Sequence, residues 1–154
     1  MSETIEKRLS NLGITLPVAA APAANYVPYV RSGNLLFPSG QLPMKDGKLA
    51  FTGLLGRDLD TATGKEAAKY CAINVLAQAK AALGELEKIR RLVKINVYVA
   101  SSPDFTEQHL VGNGASDLFA EVLGERGKHA RVAVGMASLP LNAAVEVESI
   151  FEVE

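Results

Sequence analysis

The stretch GKHARVAVGMASLPLNAAVEVESIFEVE, Gly127 to Glu154, holds two alternating runs split by a breaker. From Arg131 to Ser138, Arg131, Ala133, Gly135 and Ala137 fall on one side, and Val132, Val134 and Met136 on the other. That period of two is the signature of a strand. Leu139-Pro140-Leu141-Asn142 interrupts it, as a connection does. Ala143 to Glu154 alternates again, with Val145, Val147, Ser149, Phe151 and Val153 opposite Glu146, Glu148, Ile150, Glu152 and Glu154. The pattern predicts two strands set as a hairpin-like pair. Two charges within it carry chemistry. Arg131, at the start of the first strand, offers a planar guanidinium fork that matches both oxygens of a small carboxylate and stays charged. The ordinary alternative is a solvated strand-end arginine. Glu146, inside the second strand, competes with Glu148, Glu152 and Glu154 for the bland role of a wet strand face.

Working outward, Asp104 is the expected N-cap of a long helix from Phe105 to about Leu123, closed by Gly124 and Gly127. Arg91 to Ala100 alternates as a strand, with Leu92, Lys94, Asn96 and Tyr98 on one face and Val93, Ile95, Val97 and Val99 on the other. Thr61 or Thr63 opens a first long helix to about Leu83. Its stripe is Ala68, Cys71, Ala72, Val75, Leu76, Ala79 and Leu83, and Gly84 closes it. Tyr26–Arg31 and Leu35–Ser39 read as strands joined at Ser32-Gly33-Asn34, with Pro28 and Pro38 marking edges or bulges. Lys45-Asp46-Gly47-Lys48 is a tight turn into Leu49–Thr52. Gly53 to Gly56 suggests a bulge or a close backbone approach. Leu16 to Ala24 is an extended, Pro-punctuated segment. Ser2 to Leu12 reads as a short helix capped by Ser2, striped by Ile5, Leu9 and Leu12, and ended at Gly13. Mixed strands and helices without strict alternation predict an α+β domain, two long helices lying on one face of a mixed sheet.

The 154 residues suit a single domain, residues 1–154, with an N-terminal helical extension over 1–15. Hydrophobic content of 48% and charged content of 21% are those of a folded globular chain. A formal net charge of −1 without a basic block argues against phosphate-backbone binding, so no nucleic-acid partner is expected. One cysteine excludes an internal disulfide and points to a reducing compartment. The start MSETIEKRLS has no apolar signal region, and no run approaches the ~20 apolar residues of a membrane span. A soluble cytoplasmic protein is the expectation.

The remaining motifs are weak. Cys71 lies on an apolar helix stripe, the place of a buried structural thiol. His109 and His129 with one distant cysteine lack the spacing of a zinc site, so no metal is expected. Ser39 is not in a nucleophile elbow. Gly112-Asn113-Gly114 and Gly124 to Lys128 lack the full dinucleotide and phosphate-loop patterns.

His129-Ala130-Arg131, Leu139-Pro140 and Val145-Glu146-Val147-Glu148-Ser149-Ile150 together resemble the C-terminal signature of the Rid/YjgF family of imine and enamine deaminases. Arg131 and Glu146 stand fifteen positions apart, as in that family. The likeness runs from about Pro22 to Ile150. Ala21-Pro22-Ala23-Ala24 with Pro28-Tyr29 is similar to the family's opening and puts Tyr29 at its active-site tyrosine. Phe37 to Pro43 looks like its Ser-Gly-Gln-Ile-Pro turn, with Gly40 lining the site, and Asn113 matches an asparagine on the second long helix. The chain departs at Ala133, where the best-studied branch has cysteine, and at Gly135, where a larger residue is common. It also has one extra residue between Asn113 and Arg131, and the N-terminal helix. These mark a divergent branch.

The resemblance implies a chorismate-mutase-like fold and a homotrimer with a central barrel, its sites in the clefts between subunits. It implies cofactor-independent hydrolysis of 2-imino and 2-enamino acids, such as 2-aminoacrylate, to 2-oxo acids and ammonia. Arg131 would then grip the substrate carboxylate, backbone near Ala133 would hold the nitrogen, Glu146 would orient water, and Tyr29 would wall the pocket. A non-catalytic trimeric binder of 2-oxo acids is the second reading, and an endoribonuclease or translation inhibitor the third.

Overall fold

The computed structural model describes residues 3–22 and 24–154. In chain order the elements are α1 (Ile5–Asn11), β1 (Tyr29–Ser32), β2 (Leu35–Pro38), β3 (Met44–Lys45), β4 (Lys48–Leu49), α2 (Thr61–Leu83), β5 (Ile89–Ala100), α3 (Gln108–Leu123), β6 (Ala130–Met136) and β7 (Val145–Val153). Five strands form one mixed sheet in the order β1-β2-β7-β5-β6, and β3 and β4 form a separate ribbon. The α2 and α3 helices cover one face. Val145, Val147, Phe151 and Val153 of β7 and Ile95, Val97 and Val99 of β5 point into that core. The alternation of β7 is therefore as the sequence predicts, and so is the α+β layering.

The hairpin-like pairing is not. The β6 strand does not touch β7. It runs parallel to β5, Lys94 opposite Ala130 through Ala100 opposite Met136, while β7 runs antiparallel along the other side of β5. A parallel pair needs a long crossover, and α3 supplies it. The connection after β6 is too irregular for a tight hairpin: Pro140–Asn142 forms a 3-10 turn, with Leu141 and Asn142 at positive φ. Alternation reveals a strand's faces, but not its neighbours.

Local expectations shift in four places. The α1 helix starts at Ile5 behind Thr4, whose side chain accepts from the Lys7 amide, while Ser2 lies outside the described residues. Leu12 stays 43% exposed beyond the helix end, so Ile5 and Leu9 alone make its buried stripe. Asp104 does not cap α3: its carboxylate accepts from the Ser102 hydroxyl at 2.8 Å, and the helix opens only at Gln108. Register shifts in β5 between Ile89 and Arg91 and between Leu92 and Lys94 turn Leu92 into the core beside Ile95. A bulge rephases a strand, which strict alternation cannot foresee.

Other expectations hold. Cys71 and the rest of the α2 stripe are buried, and Gly84 ends the helix at φ 81°. Asp46 and Gly47, at φ 53° and 77°, make the two-residue turn between β3 and β4. The close approach expected at Gly53 to Gly56 is present: a side chain on Gly56 would run into Ser102 and Phe105. The first turn of α1 is tied down by Glu87, which accepts from the Ile5 amide at 2.5 Å and pairs with Arg126 at 3.1 Å. Among the described residues no helix is long and apolar enough to cross a membrane.

Candidate active site

Register decides where Arg131 points. It stands opposite Ile95, and Ala133 opposite Val97, so both face the helices. There α3 holds the guanidinium. Nη1 donates to Asn113 Oδ1 at 2.9 Å and to Ser116 Oγ at 3.1 Å, and Nη2 donates to the His109 carbonyl at 3.2 Å. Gly112 leaves room for the fork, since a Cβ there would lie 3.2 Å from Nη1 and 3.4 Å from the Ala133 Cβ.

Ser116 is itself held. Its Oγ lies 2.9 Å from His129 Nε2, and His129 Nδ1 lies 2.6 Å from the Gly127 carbonyl. A carbonyl only accepts, so the neutral ring carries its hydrogen on Nδ1 and accepts at Nε2 from the Ser116 hydroxyl. The hydroxyl oxygen is then free to accept from Arg131. All the side-chain and backbone partners of Arg131 are neutral, and among the described residues no carboxylate pairs with it. The charge is held in place but not neutralised.

Glu146 sits elsewhere. It stands opposite Tyr98 on the sheet face that no helix covers. Its carboxyl rests on Gly40, where any Cβ would overlap Oε2. The Gly40 segment is fixed by the reciprocal backbone bonds of Gln41 and Val147, at 2.8 and 3.0 Å. Burial first, and the neighbouring Glu148 charge second, push the Glu146 carboxyl above its usual range. Glu148 accepts from Asn96 Nδ2 at 2.8 Å and from the Tyr98 hydroxyl. That bond to Glu148 is the main reason Tyr98 is pushed up to about 12, with burial second.

Tyr29 heads β1 at the far edge of the sheet, opposite Pro38 and partly buried against the core. The six candidate residues thus occupy three places in one chain. Arg131, Asn113 and Ala133 meet at the β6–α3 edge, Glu146 and Gly40 meet on the open face, and Tyr29 stands apart. Arg131 and Glu146 project from opposite faces of the sheet with β5 between them. Ser116 and His129 escape sequence reasoning as holders of Arg131. The three-residue spacing of Asn113 and Ser116 on one helix face was the available signal. Cys71 is fully buried and its thiol donates to the Val145 carbonyl at 3.6 Å. Burial, and then the Glu146 charge, push it well above its usual range, the opposite of an activated nucleophile.

Comparison with known proteins decides the family. The model described as "YjgF/chorismate mutase-like, putative endoribonuclease" matches residues 6–153. The chain belongs to the YjgF/chorismate mutase-like family. Within this YjgF-type group it is 64% identical to a protein of unknown function from Agrobacterium tumefaciens. That crystal structure superposes at a TM-score of 0.92, over 97% of this chain and 92% of the other. It is 54% identical to protein TCP17 of Trypanosoma cruzi, over 98% of this chain and 95% of the relative. It is 28% identical to a 2-iminobutanoate/2-iminopropanoate deaminase of Dermatophagoides farinae, over 92% and 95%. The sheet and helices described above are thus the YjgF-type, chorismate-mutase-like fold.

Proposed function

We propose that this protein hydrolyses 2-imino and 2-enamino acids to 2-oxo acids and ammonia, at sites completed between the subunits of a homotrimer. The observation that carries the reading is the Arg131 guanidinium, fixed by three neutral partners and left with its charge unpaired. Such a group is preorganised for a small carboxylate and has no internal anion to displace. The relative from Dermatophagoides farinae is named as a deaminase of this class.

The chemistry needs only water. Glu146 takes a proton as the water oxygen bonds to C2 of the protonated imine. The proton passes to the nitrogen; as the C–N bond breaks and ammonia leaves, the proton of the new hydroxyl passes to Glu146 and on to the ammonia, and C2 becomes a carbonyl. Nothing is oxidised or reduced. A carboxylate raised above its usual range is a better base at neutral pH than an ordinary one. Backbone near Ala133 would receive the nitrogen, and Tyr29 of a neighbouring subunit would close the pocket.

Arg131 and Glu146 diverge within one chain, so one subunit's Arg131 must work with another's Glu146. Val30, Phe37, Val132 and Val134 lie exposed on strands of the sheet, which supports burial of its open face in self-association. The same divergence favours a second reading: a 2-oxo acid binder that uses Arg131 alone. The deciding assay generates 2-aminoacrylate in a coupled reaction and follows ammonia release. The wild type is expected to accelerate decay, and Arg131→Ala to lose at least 100-fold while melting normally. Release by Arg131→Ala as fast as the wild type's removes Arg131 from the site in either reading. Oxo-acid binding without acceleration by the wild type leaves the binder.

A further inference from the structure

We infer that His129 takes up a proton as a carboxylate docks on Arg131, so that this ring, acting through Ser116, couples ligand binding to pH. The inference rests on the reading above that Arg131 receives the substrate carboxylate.

One oxygen joins the ring to the guanidinium. His129 Nε2 lies 2.9 Å from Ser116 Oγ, and Arg131 Nη1 lies 3.1 Å from the same atom. Both nitrogens thus sit around a single atom, closer together than the Debye length of about 8 Å, and their charges feel one another. The neutral ring accepts at Nε2, because the Gly127 carbonyl, 2.6 Å from Nδ1, holds that nitrogen as the donor. A charged ring keeps the Gly127 bond and reverses the other one, so that Nε2 donates to Ser116 Oγ. That oxygen has two lone pairs and still accepts from Arg131. Its own hydrogen turns to the Gly112 carbonyl one turn back on α3, the bond that helical serines make. Arg131 keeps its bonds to Asn113 and the His109 carbonyl in either case. Both protonation states therefore fit one arrangement of heavy atoms.

The difference between them is charge. With no anion bound, a charged ring adds a second positive charge beside the unpaired guanidinium. A carboxylate on Arg131 supplies the anion, and an opposite charge nearby favours the protonated ring. Among the described residues no carboxylate pairs with His129 itself. Of the charges on the elements around it, Glu125 pairs with Lys128 at 3.0 Å and Glu87 with Arg126 at 3.1 Å. Asp117 and Glu121 of α3 line a groove together with Lys65 and Lys69 of α2. Lys94 of β5 stands opposite Ala130, and the Phe119 ring meets His129 edge-on. His109, the second histidine, is exposed on α3 and lends Arg131 its carbonyl. Coupling between two sites is reciprocal, so the protein with a charged His129 binds carboxylates more tightly.

The test is equilibrium binding of 2-oxobutanoate, followed by calorimetry near neutral pH in buffers of different ionisation heat. The wild type is expected to take up about a third of a proton per ligand, which matches about five-fold tighter binding to the charged ring. By NMR, the His129 ring is expected to titrate about 0.7 pH unit higher with saturating 2-oxobutanoate than without it, the same five-fold seen from the other side. His109→Asn assigns the two histidine rings. His129→Gln, which keeps an acceptor in place of Nε2 and never charges, is expected to bind 2-oxobutanoate without proton uptake. Uptake retained by His129→Gln belongs to another group and overturns the inference. Wild-type binding that leaves the His129 titration unmoved overturns it too, whether or not His129→Gln folds, and the deaminase reading then stands. No binding of 2-oxobutanoate removes the carboxylate role of Arg131, and the linkage with it.

Discussion

At the residue scale, the molecule turns on how two side chains are held. Asn113, Ser116 and the His109 carbonyl orient Arg131, and the hydroxyl of Ser116 is aimed by His129. Ser116→Ala removes one hydrogen bond to a charged donor, worth roughly 1.5 kcal/mol of orienting energy, or about ten-fold in kcat/KM. Ser116→Thr, which keeps the hydroxyl, should restore most of it. The melting temperature of both variants checks that only positioning has changed. Glu146 has the opposite character, a carboxyl disfavoured in its charged form by burial and then by Glu148. Its folded value lies above its unfolded one, so the native state holds the proton longer. Its contribution to stability is full below the unfolded value and falls as pH rises through the folded one. Activity runs the other way, because a base must be deprotonated. The kcat/KM profile should therefore rise through an acid limb above the ordinary carboxylate range. Glu148→Gln should shift that limb to lower pH, only in part, since burial remains. The same variant should bring the tyrosinate titration of Tyr98 down from about 12, read by ultraviolet absorbance.

At the scale of elements, the α2–α3 contact is the tightest joint. A Cβ on Gly114 would overlap the Lys65 carbonyl oxygen, and neither backbone can yield without separating the helices. Gly114→Ala should cost about 2–3 kcal/mol of unfolding free energy, measured in denaturant, because overpacking a close joint carries that scale of penalty. In the sequence, Gly112-Asn113-Gly114 reads only as weak glycine punctuation. The structure gives each glycine a job, one clearing the Arg131 fork and one allowing the helices to meet. Elements whose cues are local were legible: the α2 stripe, the β3–β4 turn and both faces of β7. What escaped were relations between distant segments. The parallel placement of β6 depends on α3 as a crossover, and the face of Leu92 on bulges set by pairing with β7. The candidate site divides the same way. The motif spacing picks out Arg131 and Glu146, but their divergence is visible only once register is known.

At the scale of the whole molecule, the uncovered sheet face joins apolar Val132 and Val134, 43% and 36% exposed, to the polar set of Asn96, Tyr98 and Glu148. Val134→Asp places a charge in that surface. It is expected to shift the sedimentation profile toward monomer and to abolish deaminase activity together with it, while circular dichroism stays native. A wild type that sediments as a monomer at micromolar concentration would remove the intersubunit site.

The β7 strand is the last of these elements along the chain, yet it is the middle strand of the five: β2 and β5 flank it on either side, and Val153 and Glu154 donate their amides to the Asn34 and Lys88 carbonyls. A nascent polypeptide still lacking Val145–Val153 has a gap where its sheet should join, so the N-terminal hairpin has no strand to dock on. Cooperative closure must wait for those residues to leave the ribosome, and a stop codon shortly before them should yield a product that quality-control proteases remove.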